Sequence, residues 1–336
     1  TNLEHIDLAN VFVNDEPNHN PLLAGGEGLV DSNSYDGGFS ETTTASFSVD
    51  TVLGAIDGAS SETTSLDFQF NIGLSTSFTG EDSLDIAIDN GSGSPSVMSS
   101  DIMGFDSGTS LVVDGVTYSF PVGGASMIVG DSTDLSAAFT GACTYSSFTD
   151  LTPDDCGTGN SMGAGGKGVT AALGYAFDSG FSLAGGVTSG QTDILGDSAD
   201  ALGLNAAYST DTYGVAVAYV TDDGGTSTDT QYWGLNGYYT FDLASLSVGY
   251  ETSDDGTTEK SGYFVGLSFP EVGPGSVNIA AATDALYADS ATEYLTYEAS
   301  YSYPVNDGMT ITPGIFIQET SGDDLTGVAV KTSFSF

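Results

Sequence analysis

Three sets of residues could do chemistry by type and spacing: two cysteines, a Gly-x-Ser-x-Gly string and a large excess of carboxylates. Cys143 and Cys156 flank the stretch TYSSFTDLTPDD, which has neither helix nor strand period. Two cysteines in one loop point to a local disulfide and an oxidising compartment, against the alternatives of two free thiols or a metal pair. A zinc site would need two more good ligands, and the only histidines, His5 and His19, stand far off in the sequence. Gly159-Asn160-Ser161-Met162-Gly163 matches a nucleophile elbow, but an elbow needs a strand before it and a helix after it. Here an irregular stretch precedes and a strand pattern follows, and any Ser–His–Asp group would depend on His5 or His19. We therefore expect a chance match in a chain rich in Gly and Ser, and no enzyme.

The carboxylates carry more. The 336 residues include 46 Asp and Glu against 3 Lys and Arg, a formal net charge of −43. Charged residues are nevertheless only 15% of the chain, where an ordinary soluble domain carries roughly 25%. The cations are Lys167, Lys260 and Lys331, with no arginine. Three scattered lysines exclude a nucleic-acid partner, which needs clustered cations against its phosphates. The same lack removes the clamp of a phosphoryl-transfer enzyme. Pairs such as Asp222-Asp223, Asp254-Asp255 and Asp323-Asp324 could offer oxygen ligands to Ca²⁺. No EF-hand spacing accompanies them, so we expect solvated acidic loops and no cofactor, with Ca²⁺ at those loops as the alternative.

The elements that must position these groups have a period of two. Val328, Val330, Thr332, Phe334 and Phe336 alternate with Gly327, Ala329, Lys331, Ser333 and Ser335, which is a strand with one face away from water. Leu66, Phe68, Phe70, Ile72 and Leu74 alternate in the same way with Asp67, Gln69, Asn71, Gly73 and Ser75. Short turns flanked by aromatics, such as Asp178-Ser179-Gly180 between Phe177 and Phe181, alternate with longer acidic connections such as Thr252–Thr258. Counting back from Phe336 gives about sixteen strands, an even number that puts both chain ends on the short-turn side.

A soluble sandwich or propeller would turn its apolar face inward and carry ordinary charges outside. A calcium-binding β-roll would show a G-G-x-G-x-D repeat, which is absent. The expected fold is all-β: a transmembrane antiparallel β-barrel of about 16 strands, with short periplasmic turns and long acidic extracellular loops. Residues 1–38 are expected to be a linker and residues 39–336 the barrel, with a long loop at 132–165. Pro313 falls inside a strand pattern and marks either a bulge or a subunit contact.

Thr332-Ser333-Phe334-Ser335-Phe336 resembles the aromatic-terminated last strand of bacterial outer-membrane proteins. Phe78-Thr79-Gly80-Glu81-Asp82-Ser83-Leu84, Val113-Asp114 and Tyr118-Ser119-Phe120-Pro121-Val122-Gly123 resemble the cyanobacterial outer-membrane porins of the carbohydrate-selective porin superfamily. The resemblance runs over roughly Thr42–Phe336. It implies outer-membrane lipid as surroundings, a homotrimer, and a Gram-negative, cyanobacterial outer membrane as location. Members of that group carry an N-terminal S-layer homology domain that binds peptidoglycan. This sequence shows none, so the resemblance implies the barrel part of a longer protein.

By alternation, Asp50, Asp67, Asp85, Asp89, Asp284, Glu251 and Glu298 face the lumen, and Lys331 is the mid-strand cation among them. Many other inward positions are Gly, Ala, Ser and Thr and are expected to leave room for water. The resemblance implies that the long loop folds into the lumen, which makes Asp134, Asp150, Asp154 and Asp155 constriction candidates; an outward-lying surface loop is the alternative. The expected function is passive diffusion of ions and small hydrophilic solutes with preference for cations, because carboxylate rings select by sign. The alternatives are a substrate-selective channel for sugar or iron, and a structural or adhesion barrel.

Overall fold

A computed structural model describes residues 42–336 except 60–61, 94–95, 106–107, 193, 197–199 and 225–227. The proposed linker at residues 1–38 lies outside the described residues. Ala45–Phe336 form one compact unit.

The strands follow in chain order as β1 (Thr43–Asp57), β2 (Thr64–Thr76), β3 (Ser83–Gly91), β4 (Val112–Val122), β5 (Ala125–Thr133), β6 (Gly168–Ala176), β7 (Phe181–Ser189) and β8 (Asp200–Ser209). They continue as β9 (Tyr213–Asp222), β10 (Thr230–Thr240), β11 (Ser245–Asp254), β12 (Glu259–Val272), β13 (Gly275–Thr283), β14 (Tyr287–Ala288), β15 (Leu295–Asn306), β16 (Met309–Gln318) and β17 (Leu325–Ser335). The two-residue β14 sits in a connection and pairs only with β12. The other sixteen described strands form the wall, each antiparallel to its neighbours. β1 closes the sheet on β17, in register from Ser48↔Ser335 to Asp57↔Thr326. Closure leaves no sheet edge, so every wall strand has hydrogen-bonding neighbours on both sides.

Period two produces the two faces of this wall. On β8, Leu202 and Leu204 are 62% and 63% exposed, while Ala201 between Asp200 and Leu202 is fully buried. The same outward exposure holds for Leu66, Leu183, Leu235 and Ile315. An exterior of this kind is solvated by hydrocarbon rather than water. No described helix is long and apolar enough to cross a membrane. The short-turn end carries an aromatic girdle. Phe47 stacks on the terminal Phe336 with ring centroids 5.7 Å apart, Tyr175 meets Phe177 at 4.5 Å and Phe181 meets Tyr208 at 4.5 Å.

The long connections all lie at the other end. The longest joins β5 to β6 and contains three short helical turns, Leu135–Ala137, Asp154–Gly157 and Gly159–Met162. The buried apolar core is formed where loops meet the inner wall. Val52, Ile56, Phe316 and Ala329 of the wall enclose Met98, Ile102, Phe148 and Leu151 of two loops. Ala201, Ala218 and Val220 enclose Leu135, Phe139 and Met162.

Pro313 is not a bulge. The β16–β17 register runs unbroken through Pro313↔Val330. On the β15 side the pairing passes from Ser300↔Gly314 to Tyr303↔Ile311, a gap at the residue that has no N–H to donate.

Candidate functional site: a loop-filled lumen

The β5–β6 loop crosses the barrel interior, and inward side chains of the wall hold it at successive strands. Its outgoing limb is extended. On β8, Asn205 accepts from the Thr140 amide through Oδ1 at 2.9 Å and donates to the Thr140 carbonyl at 3.2 Å. On β10, Asn236 Oδ1 accepts from the Ala142 amide at 2.9 Å. On β11, Ser247 Oγ accepts from the Thr144 amide at 3.1 Å. On β15, Glu298 accepts from the Phe148 and Thr149 amides at 2.8 and 2.9 Å. Buried backbone N–H groups need partners, and here the wall supplies them at the spacing of its strands.

The returning limb is held as firmly. Asn236 Nδ2 donates to the Asp155 carbonyl at 2.7 Å and to Thr158 Oγ1 at 2.9 Å. Glu251 accepts from Asn160 Nδ2 at 2.8 Å and from the Ser161 amide. A disulfide joins Cys143 to Cys156 with Cα atoms 5.7 Å apart and ties the two limbs together. Asp155 and Cys156 adopt left-handed backbone with φ of 49° and 54°. The wall beneath is glycine where the loop lies closest. A Cβ on Gly249 would strike the Cys156 carbonyl oxygen, and one on Gly234 would strike Ser161 Oγ. This corrects one expectation: much of the small-residue lumen face makes room for the loop rather than for water.

The carboxylates named from the sequence divide by where they stand relative to this loop. Asp50, Asp67, Asp85 and Asp89 are at inward positions of β1–β3, where β1 also packs on Phe148 and Leu151 of the long loop and on Met98 and Ile102 of the β3–β4 connection. Asp85 is exposed, with Ser83 Oγ donating to it at 2.8 Å. Asp67 is 5% exposed and accepts from Ser96 Oγ of the β3–β4 connection at 2.6 Å, so it is covered by that loop rather than open to the lumen as the alternation predicts; Ser333 Oγ donates to Asp50. Lys331 also points inward, paired in register with Val52 and Thr312. Among the described residues the ion pair is Lys167–Asp114, at 2.7 Å and exposed. Glu251 and Glu298 also point inward, but they are 1% and 3% exposed and lie beneath the loop, so loop donors occupy their oxygens.

On the loop, Asp134 caps the first helical turn by accepting from the Ser136 amide at 2.8 Å. Asp150, Asp154 and Asp155 expose part of their side chains on the loop, while protein crowds the carboxyl groups of Asp150 and Asp155. Asp150 and Asp154 line a cavity of about 330 Å³ with Glu251 and Asp284. Burial, and then the neighbouring Asp154, push the Asp150 carboxyl up from its ordinary value. Asp155 is pushed up by burial, then by Asp154 and Asp134. Among the described residues no group of three or more His, Cys, Asp or Glu is arranged to hold a metal.

Sequence reasoning missed the anchors Asn205, Asn236 and Ser247. Their only signal was a polar residue on the small-residue face of a strand. The Gly-x-Ser-x-Gly string is a helical turn with Ser161 and Met162 buried, in which Ser161 Oγ donates to the Thr158 carbonyl at 2.9 Å. Both histidines lie outside the described residues. The TGEDSL string is a turn lock. Asp82 accepts from Ser77 Oγ, the Phe78 and Thr79 amides, Thr79 Oγ1 and the Tyr118 hydroxyl, all between 2.7 and 2.9 Å. Tyr118 first, with the turn donors, holds the Asp82 carboxyl well below the usual range.

No family model matches this sequence, and no curated protein matches it. Solved structures do. The chain superimposes on a double mutant of the Rhodobacter blastica porin with a TM-score of 0.60 at 15% identity, over 88% of this chain and 100% of that one. It superimposes on Pseudomonas putida OprB with a TM-score of 0.70 at 11% identity, over 88% of this chain and 94% of that one. The closed wall, the girdle and the loop-filled interior are therefore those of a sixteen-stranded barrel with the porin fold.

Proposed function

We propose that this chain forms a water-filled channel of a Gram-negative outer membrane, through which ions and small hydrophilic solutes diffuse passively with preference for cations. The porin fold of its structural neighbours supports the channel. The observation that carries the sign is the lumen's charge. Asp50, Asp85 and Asp89 line one side and Asp150, Asp154 and Asp155 the loop, against one mid-wall lysine and no arginine. Carboxylates on both sides of a narrow aqueous path raise the local cation concentration and repel anions. The channel needs no cofactor and no catalytic group.

The cyanobacterial source, a homotrimer and a link to peptidoglycan through a further N-terminal domain remain part of the proposal on the resemblance of Phe78–Leu84 and Tyr118–Gly123. Planar-bilayer recording in a salt gradient tests the main reading. The reversal potential should have the sign of cation preference; anion preference would overturn it. A barrel that never conducts would point to the structural or adhesion reading, and saturable block by a sugar or an iron chelate to a substrate-selective channel.

A further inference from the structure

The buried carboxylates raise a question that the channel reading leaves open. Glu298 is 3% exposed and meets no cation, since the ion pair among the described residues is Lys167–Asp114. A buried charge of this kind is costly unless hydrogen bonds to the charged form replace its water. Those donors all come from the loop: Tyr145 OH at 2.8 Å, the Phe148 amide at 2.8 Å, the Thr149 amide at 2.9 Å and Thr149 Oγ1 at 2.6 Å. Around them, Phe148 packs on Phe316 and Ile102, and the Tyr145 ring meets Phe264 edge to face at 5.2 Å.

We infer that Glu298 is the positioning residue of the constriction: a wall carboxylate that captures the loop segment Tyr145–Thr149 as an anion receptor captures its ligand, and so fixes how far the loop stands into the bore. The disulfide cannot do this, because Cys143 and Cys156 both belong to the loop and tie it only to itself. Asn205, Asn236 and Ser247 hold the earlier part of the outgoing limb through neutral bonds. Glu298 is the point at which one carboxyl group takes two consecutive amides and two hydroxyls, all of them donors, and charge-assisted bonds of this kind are about twice as strong as neutral ones. Replacing it with Gln removes the charge and places an NH₂ donor among donors.

The inference rests on the channel reading for its consequence but not for its geometry, so two measurements are paired on the intact barrel in lipid. A spin label at Ser146→Cys, an exposed loop position, reports loop mobility. Planar-bilayer recording reports conductance. With Glu298→Gln we expect the label's spectrum to narrow and mean single-channel conductance to change about twofold with added open-channel noise. Tyr145→Phe, which removes one donor and keeps the ring, should shift both in the same direction by less. The double variant should fall short of the sum, because both act on one contact. An unchanged label spectrum in both single variants overturns the inference. A mobile label with unchanged conductance overturns the consequence for the bore. Failure of the unsubstituted protein to conduct overturns the channel reading instead, and leaves the label to decide whether Glu298 holds the loop.

Discussion

The inner wall of β8–β16 and the inner wall of β1–β3 start from similar sequences and end in different states. Both alternate a large apolar residue with a small or polar one. On β8–β16 the small residues are overlain by the loop, and the polar ones, Asn205, Asn236, Ser247, Glu251 and Glu298, are buried and spent on its backbone. On β2 and β3, Gln69, Asn71, Ser75, Asp85 and Asp89 keep part of their surface open. The lesson concerns charge. A carboxylate covered by a loop is an adhesive for protein, as Glu251 and Glu298 are on the first wall and Asp67, which accepts from Ser96, is on the second; one left exposed, such as Asp85, is available to ions.

The sharpest way to break the contrast is to put a side chain where the loop touches glycine. Gly249→Val should expel the returning limb and raise single-channel conductance severalfold, because its Cβ would occupy the Cys156 carbonyl position. Gly73→Val on the other wall meets only Ser46 Oγ, at 2.6 Å, and the same recording should show at most a small decrease. Next in size is selectivity. Asp85→Lys should cut the cation-to-anion permeability ratio severalfold in reversal-potential measurements. Glu251→Gln should shift it little, since that carboxylate is already covered.

Acid should separate the loop's own carboxylates from the rest. Asp150 and Asp155 have raised values, so as pH falls they take up protons before carboxyls of ordinary value. Ionising them at neutral pH opposes the folded loop, and that opposition is relieved as pH falls through their folded values. Cation preference should therefore decline earlier on acidification than in an Asp150→Asn, Asp155→Asn double variant, measured as reversal potential against pH. Asp82 has the opposite sign: its depressed value stabilises the turn above the ordinary carboxylate range, and that stability is lost only as pH falls through the lower folded value. Asp82→Asn should loosen the Ser77–Asp82 turn, measured by amide exchange, without changing selectivity.

The smallest expected effect on conductance belongs to the disulfide. Serine at both Cys143 and Cys156 should reduce the loop's resistance to local unfolding by about 3 kcal/mol on chain-entropy grounds, read by proteolysis of the loop. Conductance should shift less than in Gly249→Val, because the wall anchors remain.

Much of this barrel is legible in its sequence. The alternation in Gly327–Phe336 and Leu66–Ser75 named the outer face correctly, since the exposed Leu66, Phe68, Val328 and Phe336 are the residues it selected. The aromatics at the short turns were visible in the same way, because a girdle needs only strand ends and rings near them. Asn205, Asn236 and the glycines beneath the loop were not legible. A Gly that opens a pore and a Gly that admits a backbone look alike in a strand pattern, and an Asn anchor declares itself only through the partner it meets.

The sequence by itself determined the parts governed by neighbours along the chain: the period of two, the even run of strands, the turn chemistry, and a charge balance with acids and almost no cations. Those follow from pleating and from solvation of each face, which act locally. Only the tertiary structure decided which acids stay available and which are consumed, because that depends on contacts between Thr140–Met162 and strands up to about 150 positions away, such as Phe148 with Glu298. Burial turned three carboxylates, Asp67, Glu251 and Glu298, from lumen charges into loop anchors, and no local pattern encodes a distance across a barrel.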